Sequence, residues 1–143
     1  MNSVARLGLA AISATCAILM APSPAPGAEP IFGRWLTDDH AAIVRIGPCG
    51  QKLCGWIERV LDPKAPEKDI NNPNPRLRAK PLVGARVLSN FTGSGAVWRN
   101  GRSYDPKVGK SYRSQLRLLR SGKLKVTGCV SFLCRSRYWT RAS

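Results

Sequence analysis

Histidine and acid are what this sequence has least of. His40 is the single histidine, and eight acidic residues face 23 lysines and arginines, for a formal charge of +15. A Ser-His or Cys-His relay would have to run through His40, which stands in an Asp38-Asp39-His40 turn, where a solvated histidine is the plainer reading. A two-carboxylate hydrolase would have to draw on Glu58, Asp62, Glu67, Asp69 and Asp105. Asp105 precedes Pro106, a slot in which Asp commonly bonds its own backbone and serves the turn. No enzymatic activity is therefore expected. Helical periodicity is missing too: no window carries a convincing 3.6-residue repeat, which argues against a helical fold. Long apolar runs are confined to Leu7 to Met20, shorter than the roughly 20 residues of a membrane span, so the mature chain is read as having no transmembrane segment.

That one apolar run belongs to a recognisable plan. Arg6 supplies a positive n-region, Leu7 to Met20 an apolar h-region, and Pro22 to Pro26 break it, as in a secretory signal peptide. Cleavage is expected after Gly27 or Ala28, leaving residues 29–143 as a single domain. A lipoprotein reading fits poorly, because Thr15 and Ser13 precede Cys16. The mature length would bury roughly 65% of its unfolded surface. Without Arg6 its charge falls one unit below the +15 of the whole chain, still a strong attraction for polyanions. For a periplasmic or secreted protein these would be anionic envelope polymers or a lipid surface. Nucleic acid is the weaker partner.

Cysteine use agrees with export. Cys49, Cys54, Cys129 and Cys134 form two pairs, each bracketing four residues. An even count in a small exported domain reads as disulfides. Local bridges, Cys49 with Cys54 and Cys129 with Cys134, are geometrically easy if each pair flanks a hairpin; a crossed pairing stays open. A four-thiolate zinc site is the alternative, disfavoured because structural zinc prefers a shorter spacing. No metal or cofactor is expected.

The rest of the chain is short β-rich runs punctuated by turns. Phe32 to Thr37, Ala41 to Ile46 and Leu53 to Leu61 read as a meander of strands, the second ended by Gly47-Pro48-Cys49-Gly50. Residues 62–81 carry five prolines together with Asn71, Asn72 and Asn74, which rules out a continuous strand or helix. So long a connection inside a compact domain suits a lid, a binding loop or a disordered segment. Asp69, Asn71 and Asn74 faintly suggest a calcium loop, but the terminal bidentate Glu and the glycine are missing. Leu82 to Phe91 resumes strand character, and Thr92 to Gly95 turns the chain. Asn100-Gly101, the strongest short-range hairpin signal, predicts that Ala96 to Arg99 pairs with Arg102 to Asp105. Asp105-Pro106 and Gly109 make a further turn. In the next strand Ser114, Leu116 and Leu118 share a face; in the one after, Leu124, Val126 and Val130 do. Ser136 to Arg141 closes the chain. About eight short strands without a helix predict an all-β fold, a small antiparallel up-and-down barrel.

Gly33-Arg34-Trp35 resembles the Gly-x-Trp of lipocalin and wider calycin barrels, with Arg141 where those folds often pack an Arg over that Trp. The mature chain as a whole resembles the exported bacterial domain-of-unknown-function family 2147. The resemblance rests on Cys49 to Gly55, on Asn71-Asn72-Pro73-Asn74-Pro75 with Leu77-Arg78 and Pro81-Leu82-x-Gly84, and on Trp98-x-x-Gly101-x-x-Tyr104-Asp105-Pro106-x-x-Gly109-x-x-Tyr112. It also takes in Leu124-x-Val126-x-Gly128 and Trp139-Thr140-Arg141. The family usually has Asp at the position of Asn74. Membership implies a calycin-like barrel and an envelope location, and brings no established activity.

Such a barrel is either filled by side chains or holds one small ligand. The expected ligand site is Trp98, Arg102, Tyr104, Asp105, Tyr112 and Arg117, with aromatic walls and guanidinium forks suited to a small anionic or amphiphilic ligand. Trp56, Tyr138, Arg113 and Arg137 are further contributors. The alternative is a filled barrel whose basic exterior binds anionic lipid or polysaccharide.

Overall fold

The computed structural model describes residues 29–143; the expected signal peptide, residues 1–28, lies outside the described residues. Eight antiparallel strands close into one barrel in sequence order: β1 (Gly33–Leu36), β2 (Ala42–Cys49), β3 (Lys52–Val60), β4 (Arg86–Ser94), β5 (Val97–Asp105), β6 (Lys110–Leu118), β7 (Leu124–Val130) and β8 (Leu133–Arg141). Closure comes from β1 on β8, where Trp35 lies opposite Arg141 and Leu36 opposite Thr140. No sheet edge is left along that seam.

Successive turns alternate between two ends. At one end lie the β2–β3, β4–β5 and β6–β7 turns and the N-terminal approach, and there the barrel is plugged. Trp35 is fully buried and its indole N–H donates to the Ile31 carbonyl at 2.9 Å. The Arg141 guanidinium sits 4.0 Å from the centre of the Trp35 ring and donates to the carbonyls of Phe32 and Pro30. Gly33 makes room for that cation, since a Cβ there would lie 2.7 Å from Arg141 Nη1. Phe32 packs against Trp98, and the Glu29 carboxylate accepts from the Gly95 N–H at 2.6 Å. Trp35, Ile46, Leu53, Phe91, Trp98, Leu116 and Leu124 fill this half as the hydrophobic core.

The Asn100-Gly101 hairpin does not form. Both residues lie inside β5, where three steps from Trp98 to Gly101 oppose two from Leu116 to Ser114 on β6, a β-bulge. Asn100 does adopt the positive φ, 58°, that the pair suggests, but a bulge uses the left-handed residue as readily as a tight turn does. Gly101 is needed for closeness: a Cβ on it would stand 2.3 Å from the Phe91 ring. Gly101→Ala is thus expected to cost about 1–3 kcal/mol through overpacking. Chemical denaturation should show this loss, and a second change, Phe91→Leu, should recover part of it.

Two strand boundaries also move. β2 runs on through Pro48 to Cys49, because β1 ends its pairing at Ile46 and leaves Pro48 a neighbour on one side alone; that is an edge position, where a missing N–H is harmless. β4 begins at Arg86 rather than Leu82, and Thr92 to Ser94 continue it, so the turn narrows to Gly95-Ala96. The alternation expected for β6 and β7 holds at Ser114, Leu116, Leu124 and Val126, which are buried, but not at the end of β7, where Val130 is exposed and Thr127, on the other face, is buried.

The long connection is folded back on the wall. Asn72 and Asn74 each accept from a backbone N–H two residues on, at 2.9 and 3.1 Å, the Asx turns that such a run favours. A short 3-10 turn, Pro75–Leu77, follows. Asp69 is buried and accepts from Asn72 and from the Tyr104 hydroxyl, both at 2.7 Å. Asn71 reaches the carbonyls of Pro106 and Lys107, tying the loop to the β5–β6 turn.

Candidate functional site

The other half of the barrel is not filled. Where the plugged half carries Trp35, Phe91 and Trp98, the open half turns Ala42, Val44, Val87, Ser103, Val126 and Gly128 inward. Side chains this short do not meet across an eight-stranded barrel. The result is a cavity of about 630 Å³, within the usual range for small-molecule sites. Its floor and walls are Val44, Ile57, Val87, Leu88, Val126 and Trp139, with Ser103 and Tyr112 as polar points. The Ser103 and Ser114 hydroxyls satisfy each other at 2.6 Å, and Ser114 also donates to the Tyr112 carbonyl.

The mouth is charged on both sides. Asp38, Asp39 and Asp105 line it together with Lys107, Arg135 and Arg137. Lys107 holds Asp39 at 2.7 Å and Arg137 holds Asp38 at 3.1 Å, so one ion pair links the β1–β2 turn to the β5–β6 turn and the other ties it to the adjacent strand β8. Burial would raise the Asp39 carboxyl, but hydrogen bonds from Lys107, Thr37 and the Ala41 N–H hold it down at about 2. The same contacts raise Lys107 and Arg137, each through the hydrogen bond to its carboxylate. Because the folded Asp39 lies below its ordinary 3.8, its contribution to stability is complete above that pH and fades as pH falls through the folded value. NMR titration of the carboxyl should give a midpoint near 2, moving back toward 3.8 in Lys107→Met.

Tyr104, Asp105 and Tyr112 of the expected site do line this cavity. Tyr104 is committed to Asp69; burial first, and then that carboxylate, push its hydroxyl well above the usual phenol range. The Asp105 carboxylate accepts from the Lys107 N–H at 2.9 Å, the turn role suggested by its place before proline. Trp98 lies in the plugged half, buried, with its indole N–H on the Gly95 carbonyl. Arg102 and Arg117 are exposed and outside the lining, opposite Arg113 and Lys125 respectively. Trp56 is on the outer wall between the guanidiniums of Arg45 and Arg86, and Tyr138 is exposed. Arg135, Trp139 and the two aspartates of the β1–β2 turn were not among the expected ligand residues. A period-2 reading of the last strand, with Leu133, Arg135, Arg137 and Trp139 on one face, is the signal that reaches Arg135 and Trp139; no sequence signal of that kind reaches the two aspartates.

Both local cystine pairings are present, Cys49–Cys54 beside the β2–β3 turn and Cys129–Cys134 beside the β7–β8 turn. They lie at opposite ends of the barrel, so a shared four-thiolate site does not arise. Such bridges fit an oxidising, extracytoplasmic compartment. Among the described residues no helix is long and apolar enough to cross a membrane.

A closed eight-stranded meander, a stacked Trp35–Arg141 plug at one end and a cavity open at the other together define a lipocalin-like β-barrel. Within that class the chain belongs to the family described as "uncharacterized protein conserved in bacteria (DUF2147)", whose model matches residues 33–141. It is similar to the solved structure of protein HP1028 from the human pathogen Helicobacter pylori, described as belonging to the lipocalin family. The two share 24% identity and a TM-score of 0.69, over 78% of this chain and 82% of that one. No curated protein matches the chain.

Proposed function

We propose that this is an exported, non-enzymatic envelope protein, periplasmic or secreted after loss of residues 1–28, that binds one small amphiphilic ligand inside its barrel. The observation that carries the reading is the apolar cavity of about 630 Å³ with charge confined to its mouth. Apolar burial contributes roughly 25 cal/mol per Å², so the ligand's chain belongs against Val44, Val87, Val126 and Trp139. Its anionic or polar head belongs at the mouth. There Lys107 and Arg137 are already paired, whereas Arg135 has no carboxylate partner among the described residues. The guanidinium of Arg135 and the hydroxyl of Tyr112 are the groups left to receive a head. Three carboxylates offset three cations around the opening, so affinity comes chiefly from the apolar walls. The cavity also argues against the filled-barrel alternative.

Native mass spectrometry of protein taken from the periplasm tests this, paired with displacement of a fluorescent fatty acid. A retained small molecule, or saturable probe uptake at one site per chain, is the expected result. An apo spectrum together with no probe uptake would refute the reading.

A further inference from the structure

The β7–β8 hairpin is built oddly for a protein in water. Val130 lies opposite Leu133, leaving a two-residue tip of Ser131 and Phe132, with Ser131 at a φ of 54°. Phe132 is 87% exposed, Leu133 70% and Val130 60%. Four consecutive tip residues thus hold three large apolar side chains out in solvent. One step below, Cys129 and Cys134 face each other and are joined. The bridge ties the two strands at the base of the tip, which opposes its collapse onto the barrel. On the same end the β5–β6 turn presents Val108, 54% exposed.

The tip sits in a basic stretch of chain; the carboxylates at the same end, Asp38, Asp39 and Asp105, lie outside that stretch, and the first two are paired with Arg137 and Lys107. From Pro106 to Ser143 the sequence has ten lysines and arginines and no aspartate or glutamate. Arg113 is the register partner of Cys129 on β6, and Lys110 opens that strand next to the β5–β6 turn. Both are exposed.

We propose that the Val130–Leu133 tip is a membrane-docking wedge, entering the interface of an anionic phospholipid bilayer while Lys110 and Arg113 meet its headgroups. Apolar side chains gain nothing against a hydrated polysaccharide, but they do gain from the acyl boundary of a bilayer. Cations next to the tip add attraction to anionic lipid that salt weakens. Docking in this way would turn the cavity mouth, which Val130 and Leu133 also line, toward the lipid. The wedge does not depend on the cavity being a ligand site, since an empty barrel would dock equally well.

Sedimentation of the chain with phosphatidylcholine vesicles, with and without phosphatidylglycerol, is the test. Binding to the anionic vesicles alone is expected, weakened about tenfold in Phe132→Ser and several-fold in Lys110→Gln/Arg113→Gln, the latter with a shallower salt dependence. Phe132→Trp should give a blue-shifted emission that brominated acyl chains quench. Phe132 packs against almost nothing, so thermal melts of these variants should match the parent and separate loss of docking from loss of fold. Lack of binding to anionic vesicles would overturn the proposal. So would binding untouched by Phe132→Ser, or tip fluorescence that brominated lipid leaves unquenched, since either means adsorption by charge alone. Retention on dextran sulfate equal to that on vesicles, and equally indifferent to Phe132→Ser, would also overturn it in favour of a polysaccharide partner.

Discussion

Trp35→Ala is expected to lower the free energy of unfolding by about 3–5 kcal/mol, read as a shift of the urea midpoint. Small domains hold roughly 5–15 kcal/mol in all, so much of the stability is at stake. Three losses coincide at this residue. Its fully buried ring leaves a large cavity in the plugged half. The Ile31 carbonyl loses its indole donor, and the Arg141 guanidinium loses the ring beneath it. The residue also stands in the short β1–β8 pairing that closes the barrel, where Trp35 and Leu36 alone face β8. Trp35→Phe keeps a ring under the cation but drops the donor, so it should fall between parent and Ala. A midpoint unmoved by Trp35→Ala would show that the plug is incidental to the fold.

Ala42→Trp is expected to weaken uptake of a fluorescent fatty acid by roughly tenfold or more, about 1.4 kcal/mol or above, with the fold retained. Ala42 lines the cavity, and its backbone, not its methyl, makes the contacts with Thr37 that set the β1–β2 turn. An indole there has open space to enter. Titration of the probe against the parent, Ala42→Trp and Phe132→Ser separates the two proposals, since the last variant should leave probe affinity unchanged. Full uptake by Ala42→Trp with an intact melt would place the probe outside the barrel.

Much of the scaffold could be read directly from residues whose signals are local. Each cysteine finds its partner within one hairpin, and the alternation of Leu116 or Val126 with their charged neighbours sets an inner and an outer face without reference to the rest of the fold. Gly33-Arg34-Trp35 with Arg141 was legible by resemblance and is explained by the stacked plug. Asn100-Gly101 looks like a hairpin because positive φ is shared by tight turns and bulges; the deciding fact, the Phe91 ring lying over Gly101, sits on a neighbouring strand. The cavity is harder still, because it exists by virtue of Ala42, Ser103 and Gly128, on three different strands, all being short and lining the same space. Trp98 shows the same difficulty from the other side: an inward aromatic reads alike whether it lines a void or fills one, and its height along the barrel decides.

The two cystines have a consequence for the order of assembly. Each joins residues five apart in sequence, while barrel closure must bring Trp35 to Arg141. Four cysteines allow three pairings, and the two bridges present are those with the smallest loops to close, hence the least entropy to lose. Oxidation of each hairpin therefore does not have to wait for barrel closure. The β1–β8 seam joins the two ends of the barrel sequence and closes a far longer loop at a greater cost in chain entropy, whereas the registers of β2 on β3 and of β7 on β8 are each fixed covalently within their own hairpin.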